Sequence, residues 1–121
     1  LSGLISFGSH TLGATPLIDI KSDEEIKRQI FESKKVLEEK LGQPITTFSY
    51  PEGRFNAKIK QLVKDAGYSL AVGTFPGKRF ANDDLFLLKR LRISENAGNL
   101  FIFGFEISGY YTFLKQWRKN K

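Results

Sequence analysis

The sequence contains a single imidazole, His10, and no thiol. Any chemistry that needs a neutral nitrogen base, a ring ligand or a sulfur donor therefore rests on His10 alone. The residue follows Leu4–Ser9, a short apolar run bounded by glycine that fits a buried strand, and it falls where that strand would end. By residue type two readings are open. One is a structural ring sharing its proton with a neighbour, and the other is a metal ligand, although one imidazole holds a divalent ion weakly without two further donors. A second candidate is Tyr50-Pro51-Glu52-Gly53, which follows the β-branched and aromatic run Ile45–Ser49 and whose Pro and Gly require a loop. Arg90, inside Leu88-Lys89-Arg90-Leu91-Arg92-Ile93, is the third, either a surface cation or a functional guanidinium.

The elements that must position these groups are legible as alternating strands and helices. After a loop containing Pro16, Ser22-Asp23-Glu24-Glu25 has the form of a capping box, with the Ser22 hydroxyl on the Glu25 amide and the Glu25 carboxylate returning to the Ser22 amide. The helix it starts has Ile26, Ile30, Val36, Leu37 and Leu41 at helical spacing with Phe31 widening the stripe, and Gly42 with Pro44 ends it. Asn56 caps a second helix with Ile59, Leu62, Val63 and Ala66 inward and Gly67 at its end. Tyr68–Gly73 predicts a third strand, Thr74–Asp84 a loop, and Leu85–Ile93 contains a fourth strand. A last helical region spans Asn99–Lys119, interrupted near Ser108-Gly109. Strands separated by helices predict an α/β fold with parallel strands, and about four of them make half of a (β/α) barrel. In such folds the loops after strand C-termini carry the site, and here those loops begin at His10, at Tyr50, near Thr74 and near Ser94.

Composition bounds the function. The 121 residues, 40% hydrophobic with 11 Phe, suit one globular unit with a real core. No apolar run approaches the ~20 residues of a membrane span, and the first residues lack the pattern of a signal peptide. The chain has no Met and opens in mid-pattern at Leu1-Ser2-Gly3, from which we expect a piece of something longer. Its net charge is +6, but Lys21–Lys40 carries six basic and six acidic residues, and Arg54, Lys58, Lys60, Lys64 and the terminal Lys115, Arg118, Lys119 and Lys121 suit solvated faces and a terminal tail. Few aromatics interleave with the basic residues and no nucleic-acid motif is present, so a nucleic-acid partner is not expected.

Four segments in order then carry a family likeness: Gly8-Ser9-His10-Thr11; the capped helix through Leu41-Gly42-Gln43-Pro44; Phe48-Ser49-Tyr50-Pro51-Glu52-Gly53-Arg54-Phe55-Asn56; and Lys64-Asp65-Ala66-Gly67-Tyr68. In order and spacing they resemble the polysaccharide deacetylase (NodB homology, carbohydrate esterase 4-like) family over roughly residues 4–108, as the C-terminal part of its domain. The resemblance implies a partial (β/α) barrel, residues 1–121 being one domain piece. It also implies hydrolysis of N-acetyl groups on a sugar polymer with a divalent metal, zinc or similar, held by an Asp and a His-x-x-x-His pair. His10 matches the first His. The second position is Ala14, which has no lone pair; Thr15 and Asp19 are the nearby substitutes.

By the same resemblance the Glu52 backbone amide would face the acetyl oxygen as an oxyanion donor, with Tyr50, Pro51 and Gly53 at the substrate. Ser49 stands where many members have an Arg that orients the catalytic Asp, and Arg90 is the candidate to serve instead. The family's Asp-Asp strand end and its general-acid His have no counterpart here, since His10 is the only His. The expectation is a deacetylase-family domain acting on N-acetylated polysaccharide, inactive as this chain alone and binding metal weakly. The alternative is a non-catalytic carbohydrate-binding or structural remnant of the same fold. An extracellular or cell-envelope location is implied, and an open sheet edge would allow a homo-oligomer.

Overall fold

A computed structural model describes residues 3–76, 84–91, 93 and 95–109. Four strands, β1 (Gly8–Ser9), β2 (Thr47–Ser49), β3 (Leu70–Pro76) and β4 (Leu88–Arg90), form one sheet in the order β1-β2-β3-β4, every pair parallel. The register sets Gly8 beside Thr47, Phe48 beside Ala71 and Val72 beside Leu88, with an irregularity between Val72 and Pro76 that brings Pro76 opposite Arg90. Strand order equal to chain order, with every pair parallel, is the arrangement of a barrel arc built from βα units.

Helix α1 (Asp23–Leu41) joins β1 to β2, and α2 (Ala57–Asp65) joins β2 to β3. Ser22 caps α1 by accepting from the Glu25 amide, and Gly42 closes it at φ 64°, where its lack of Cβ lets the amide reach the Glu38 carbonyl. The Glu25 carboxylate departs from the expected capping box. It accepts from Arg28 and Gln29, because an i,i+3 guanidinium and an i,i+4 amide offer it stronger partners along the helix. Asn56 caps α2 through the Ile59 amide, and Asn99 caps α3 (Leu100–Ile107) through the Phe101 amide. The expected helix beyond Gly109 and the expected loop over 77–83 lie outside the described residues.

Leu17, Ile26, Ile30, Ile45, Phe48, Tyr50, Ile59, Val63, Tyr68 and Ala71 form the core between sheet and helices. Burying an Ile or Phe here contributes about 1.5–3 kcal/mol. Phe48 is its hub, 5.4 Å edge-on from Tyr50 and 5.1 Å from Tyr68 between ring centroids. A small polar chain crosses the core: Ser9 Oγ donates to Ser33 Oγ (2.8 Å), Ser33 Oγ donates to the Ile30 carbonyl (2.9 Å), and the Tyr68 hydroxyl donates to that same carbonyl (3.2 Å). It fastens β1 onto α1, and each buried hydroxyl in it has a partner.

Two sequence expectations are corrected. The run Leu4–Phe7 is not a buried strand: Leu4 is 88% and Ile5 63% exposed, and β1 begins only at Gly8. β2 itself begins only at Thr47, the partner of Gly8, so the residues before Gly8 have no strand of the described sheet on which to form a ladder. Val36 is likewise exposed, since the buried line of α1 runs through Ile26, Ile30 and Ser33. The other strands keep their places with shifted ends. β2 begins at Thr47, β3 extends to Pro76, and β4 is confined to Leu88–Arg90.

Candidate active site

Just after β1, His10 meets the end of β2 through a hydrogen bond. His10 Nδ1 lies 2.8 Å from the Ser49 carbonyl oxygen. A carbonyl can only accept, so Nδ1 carries a proton, and in the neutral tautomer consistent with this bond Nε2 has the lone pair. This is the orientation in which a protein prepares an imidazole as a base or a ligand, the second nitrogen being fixed by a backbone oxygen.

Behind His10 the chain turns twice through the left-handed region without glycine, at Thr11 (φ 65°) and Ala14 (φ 55°). Each costs of order 1 kcal/mol. The loop is held by Gln29 of α1, whose Oε1 accepts from the Leu12 amide (3.0 Å) and the Gly13 amide (3.3 Å) while its Nε2 donates to Glu25 (2.8 Å). Thr11 Oγ1 accepts from the Ala14 amide at 3.1 Å. Glu25, gripped by Arg28 and then Gln29, has its pKa lowered from 4.5 to about 2.

After β2, Pro51–Gly53 makes a single tight turn. The Gly53 amide donates to Tyr50 O and the Arg54 amide to Pro51 O, while the Tyr50 amide is taken by Val72 of β3. Among the described residues no carbonyl takes the Glu52 amide; the oxygen three residues back, that of Ser49, receives His10. Glu52 itself is left-handed, at φ 54° and ψ 7°. Thr74 Oγ1 donates to the Glu52 carbonyl at 3.3 Å, which ties the turn to the end of β3.

The structure distributes the sequence candidates as follows. His10 and Glu52 are exposed, whereas Tyr50, Pro51 and Gly53 are buried beneath the turn. Tyr50 stacks on Phe55 at 4.6 Å and donates its hydroxyl to the Phe86 carbonyl at 3.1 Å; burial, with a further push from the Asp84 charge, raises its pKa. Arg90 lies on β4 with Nε donating to the Gly73 carbonyl at 2.7 Å, so it binds the backbone one residue before Thr74. Asp19 does not face the His10 loop as a free carboxylate, since both its oxygens accept from Arg54, at 2.7 and 2.8 Å. That pair joins the loop after β1 to the turn after β2. It was not legible in the sequence because the partners are thirty-five residues apart. Gln29 and Thr74 were also missed, for neither carries a local signal of its contact.

A divalent metal fits this donor set poorly. Ala14 offers no donor, Asp19 is engaged by Arg54, and no group of three His, Cys, Asp or Glu side chains that could hold a metal forms among the described residues.

The chain is thus a parallel α/β arc with His10 at the end of one strand and, after the next, a Pro51–Gly53 turn whose Glu52 amide is taken by no carbonyl among the described residues. In comparison with known proteins, the family model for polysaccharide deacetylase matches residues 1–71. The chain is 30% identical over 98 residues to YxkH of Bacillus subtilis (strain 168), which its name assigns to the polysaccharide deacetylases; the match covers 80% of this chain and 35% of YxkH. Among solved structures it is similar to the Streptococcus pyogenes deacetylase PplD in complex with acetate, with a TM-score of 0.71 and 32% identity over 75% of this chain and 40% of that one. It is also similar to BC0361, a polysaccharide deacetylase from Bacillus cereus, with a TM-score of 0.65 and 30% identity over 76% of this chain and 29% of that one. The chain belongs to the polysaccharide deacetylase family. It spans 40% or less of the length of these relatives.

Proposed function

We propose that this chain is one domain piece, the C-terminal part of a NodB-type domain, and that the protein to which such a domain belongs hydrolyses N-acetyl groups on a sugar polymer at the cell envelope or outside the cell. The observation that carries the reading is the pairing of His10 with the Ser49 carbonyl, three residues before the Glu52 amide, which no carbonyl takes among the described residues. It sets a lone pair and an N–H donor on adjacent loops. The Glu52 amide would stabilise the oxygen of an acetyl group as negative charge develops on it; such donors are worth roughly 3–4 kcal/mol in transition-state stabilisation. Tyr50, Pro51 and Gly53 would act on substrate through the turn they shape. Arg90 would serve by holding the Gly73 carbonyl beside the Thr74 brace.

This chain alone is proposed to be inactive. His10 is its only imidazole and position 14 is alanine, so a tight zinc site, which takes three protein ligands, is not supplied. The same observation favours a second reading, a carbohydrate-binding or structural relative that keeps the fold without turnover. Zinc calorimetry on the chain and on Ala14→His, with acetate release from chito-oligosaccharide, tests both. We expect weak zinc binding that strengthens in Ala14→His, and no acetate from either form. Submicromolar zinc affinity or acetate release by the unaltered chain would overturn the inactive reading. Binding of chito-oligosaccharide without turnover would favour the second.

A further inference from the structure

Tyr50, Pro51, Glu52 and Gly53 make a turn closed by the Gly53 amide, which donates to the Tyr50 carbonyl at 2.9 Å. With Pro in second place and Glu52 third at φ 54° and ψ 7°, it is a type II turn. The third place of such a turn favours glycine, because a residue with a Cβ is strained at positive φ. A type I turn would relieve Glu52 by returning it to negative φ. The two types differ by a half-rotation of the middle peptide, the one between Pro51 and Glu52, so the change would reverse the Glu52 N–H. The direction of that amide therefore depends on what holds this one peptide against the preference of Glu52.

The Arg54 amide supplies the hold. It donates at 3.1 Å to the Pro51 carbonyl, the oxygen end of the same peptide, and a half-rotation would swing that oxygen away. One net hydrogen bond and one left-handed residue are worth similar amounts, so the two opposing effects nearly cancel. The following peptide needs no such help, since Thr74 Oγ1 donates to the Glu52 carbonyl and the Gly53 amide is already bonded.

We propose that Arg54 is a positioning residue whose side chain tips this balance and keeps the Glu52 amide turned towards an acetyl oxygen. Its guanidinium donates to both oxygens of Asp19, at 2.7 and 2.8 Å, and its Nη1 lies 3.6 Å from the Glu52 carboxylate. Those contacts fix the Arg54 backbone where its amide meets the Pro51 carbonyl. The proposal takes the acetyl oxygen from the function proposed above, but the turn type is measured without it.

The test is the nuclear Overhauser effect between Pro51 Hα and the Glu52 amide proton, strong in a type II turn and weak in type I, because ψ of Pro51 sets that distance. We expect a strong effect in the unaltered chain. Arg54→Ala should move the turn about fivefold towards type I, the factor an exposed ion pair carries at most. Asp19→Ala should do the same, and raised salt should act in the same direction. Adding Glu52→Gly to Arg54→Ala should restore the effect, because glycine has no left-handed penalty. A residue that only stabilised the fold would not be rescued in this way, and urea midpoints read that loss separately. A weak effect in the unaltered chain, a strong one in Arg54→Ala, or no restoration by Glu52→Gly would overturn the positioning role. The last two results leave the deacetylase reading standing, since zinc binding and acetate release test it independently.

Discussion

Gly53 and Thr74 occupy adjoining space so tightly that a Cβ on Gly53 would lie 2.1 Å from Thr74 Oγ1 and 2.7 Å from the Thr74 amide nitrogen. Gly53 also sits at φ 69°, where a side chain is strained whatever the space. The turn bearing the Glu52 amide is therefore pressed against the end of β3 with no room for a side chain between them.

Gly53→Ala should destabilise the fold by about 3 kcal/mol, combining left-handed strain with a clash against backbone. Gly42→Ala is the control. It has φ 64° with nothing within 4 Å of a built Cβ, so strain alone acts and about 1 kcal/mol is expected. Urea unfolding of the two variants checks the difference, and equal losses would show that Thr74 yields without cost.

Gln29→Ala should free the loop after β1. Its Oε1 is the acceptor for both Leu12 and Gly13 amides, so those two protons should exchange about tenfold faster, with a stability loss near 1 kcal/mol. Unchanged exchange at both amides would mean that the left-handed turns at Thr11 and Ala14 hold the loop unaided.

The Glu25 cluster gives stability a defined acid dependence. The Glu25 pKa is lowered from 4.5 to about 2, so its contribution is fully present above about pH 4.5 and is lost as pH falls towards 2. Glu38, gripped by Lys34 and the Ile45 amide, and Asp84, gripped by Lys60 and the Phe86 amide, are shifted in the same direction. The urea midpoint should therefore fall across that window, less steeply in Glu25→Gln, and the difference should shrink in high salt. Parallel profiles for the two proteins would remove Glu25 from the account.

The described sheet has edges at β1 and β4, and the β1 edge is flanked by exposed Leu4, Ile5 and Phe7. Unpaired edges bordered by apolar side chains associate. Sedimentation should show self-association at concentrations of order 100 μM. Association should be reduced by Ile5→Lys beside this edge; a strict monomer at that concentration would count against pairing through it.

The local signals were legible and the distant partnerships were not. Ser22, Gly42, Asn56 and Asn99 mark helix ends by chemistry that acts within one turn, and each lies at the terminus its residue type implies. The alternation of strand and helix likewise implied parallel pairing, which the registers show. Leu4–Phe7 misled because apolar composition does not say whether a neighbouring strand exists to bury it. Tyr50 was legible as the start of a Pro/Gly loop, yet its ring is wholly buried, a placement set by the tertiary fold, which puts Phe55 on its face and the Phe86 carbonyl at its hydroxyl. His10 was legible as a candidate by its strand-end position. The Ser49 carbonyl that orients it was not, because any residue could supply that oxygen.

That oxygen makes the last prediction. With Nδ1 at 2.8 Å from a group that can only accept, the neutral His10 ring must be the Nδ1–H tautomer, leaving Nε2 unprotonated. At alkaline pH, where an imidazole is neutral, nitrogen-15 NMR should give a pyrrole-like Nδ1 and a pyridine-like Nε2. Zinc added to Ala14→His should perturb Nε2 and leave the Nδ1 proton in place, because the carbonyl continues to hold it. Substituting Ser49 by alanine should change nothing, since the acceptor is backbone. A pyridine-like Nδ1 in the unaltered chain would mean that the ring does not donate to Ser49, and would remove the geometric basis for treating His10 as a prepared ligand.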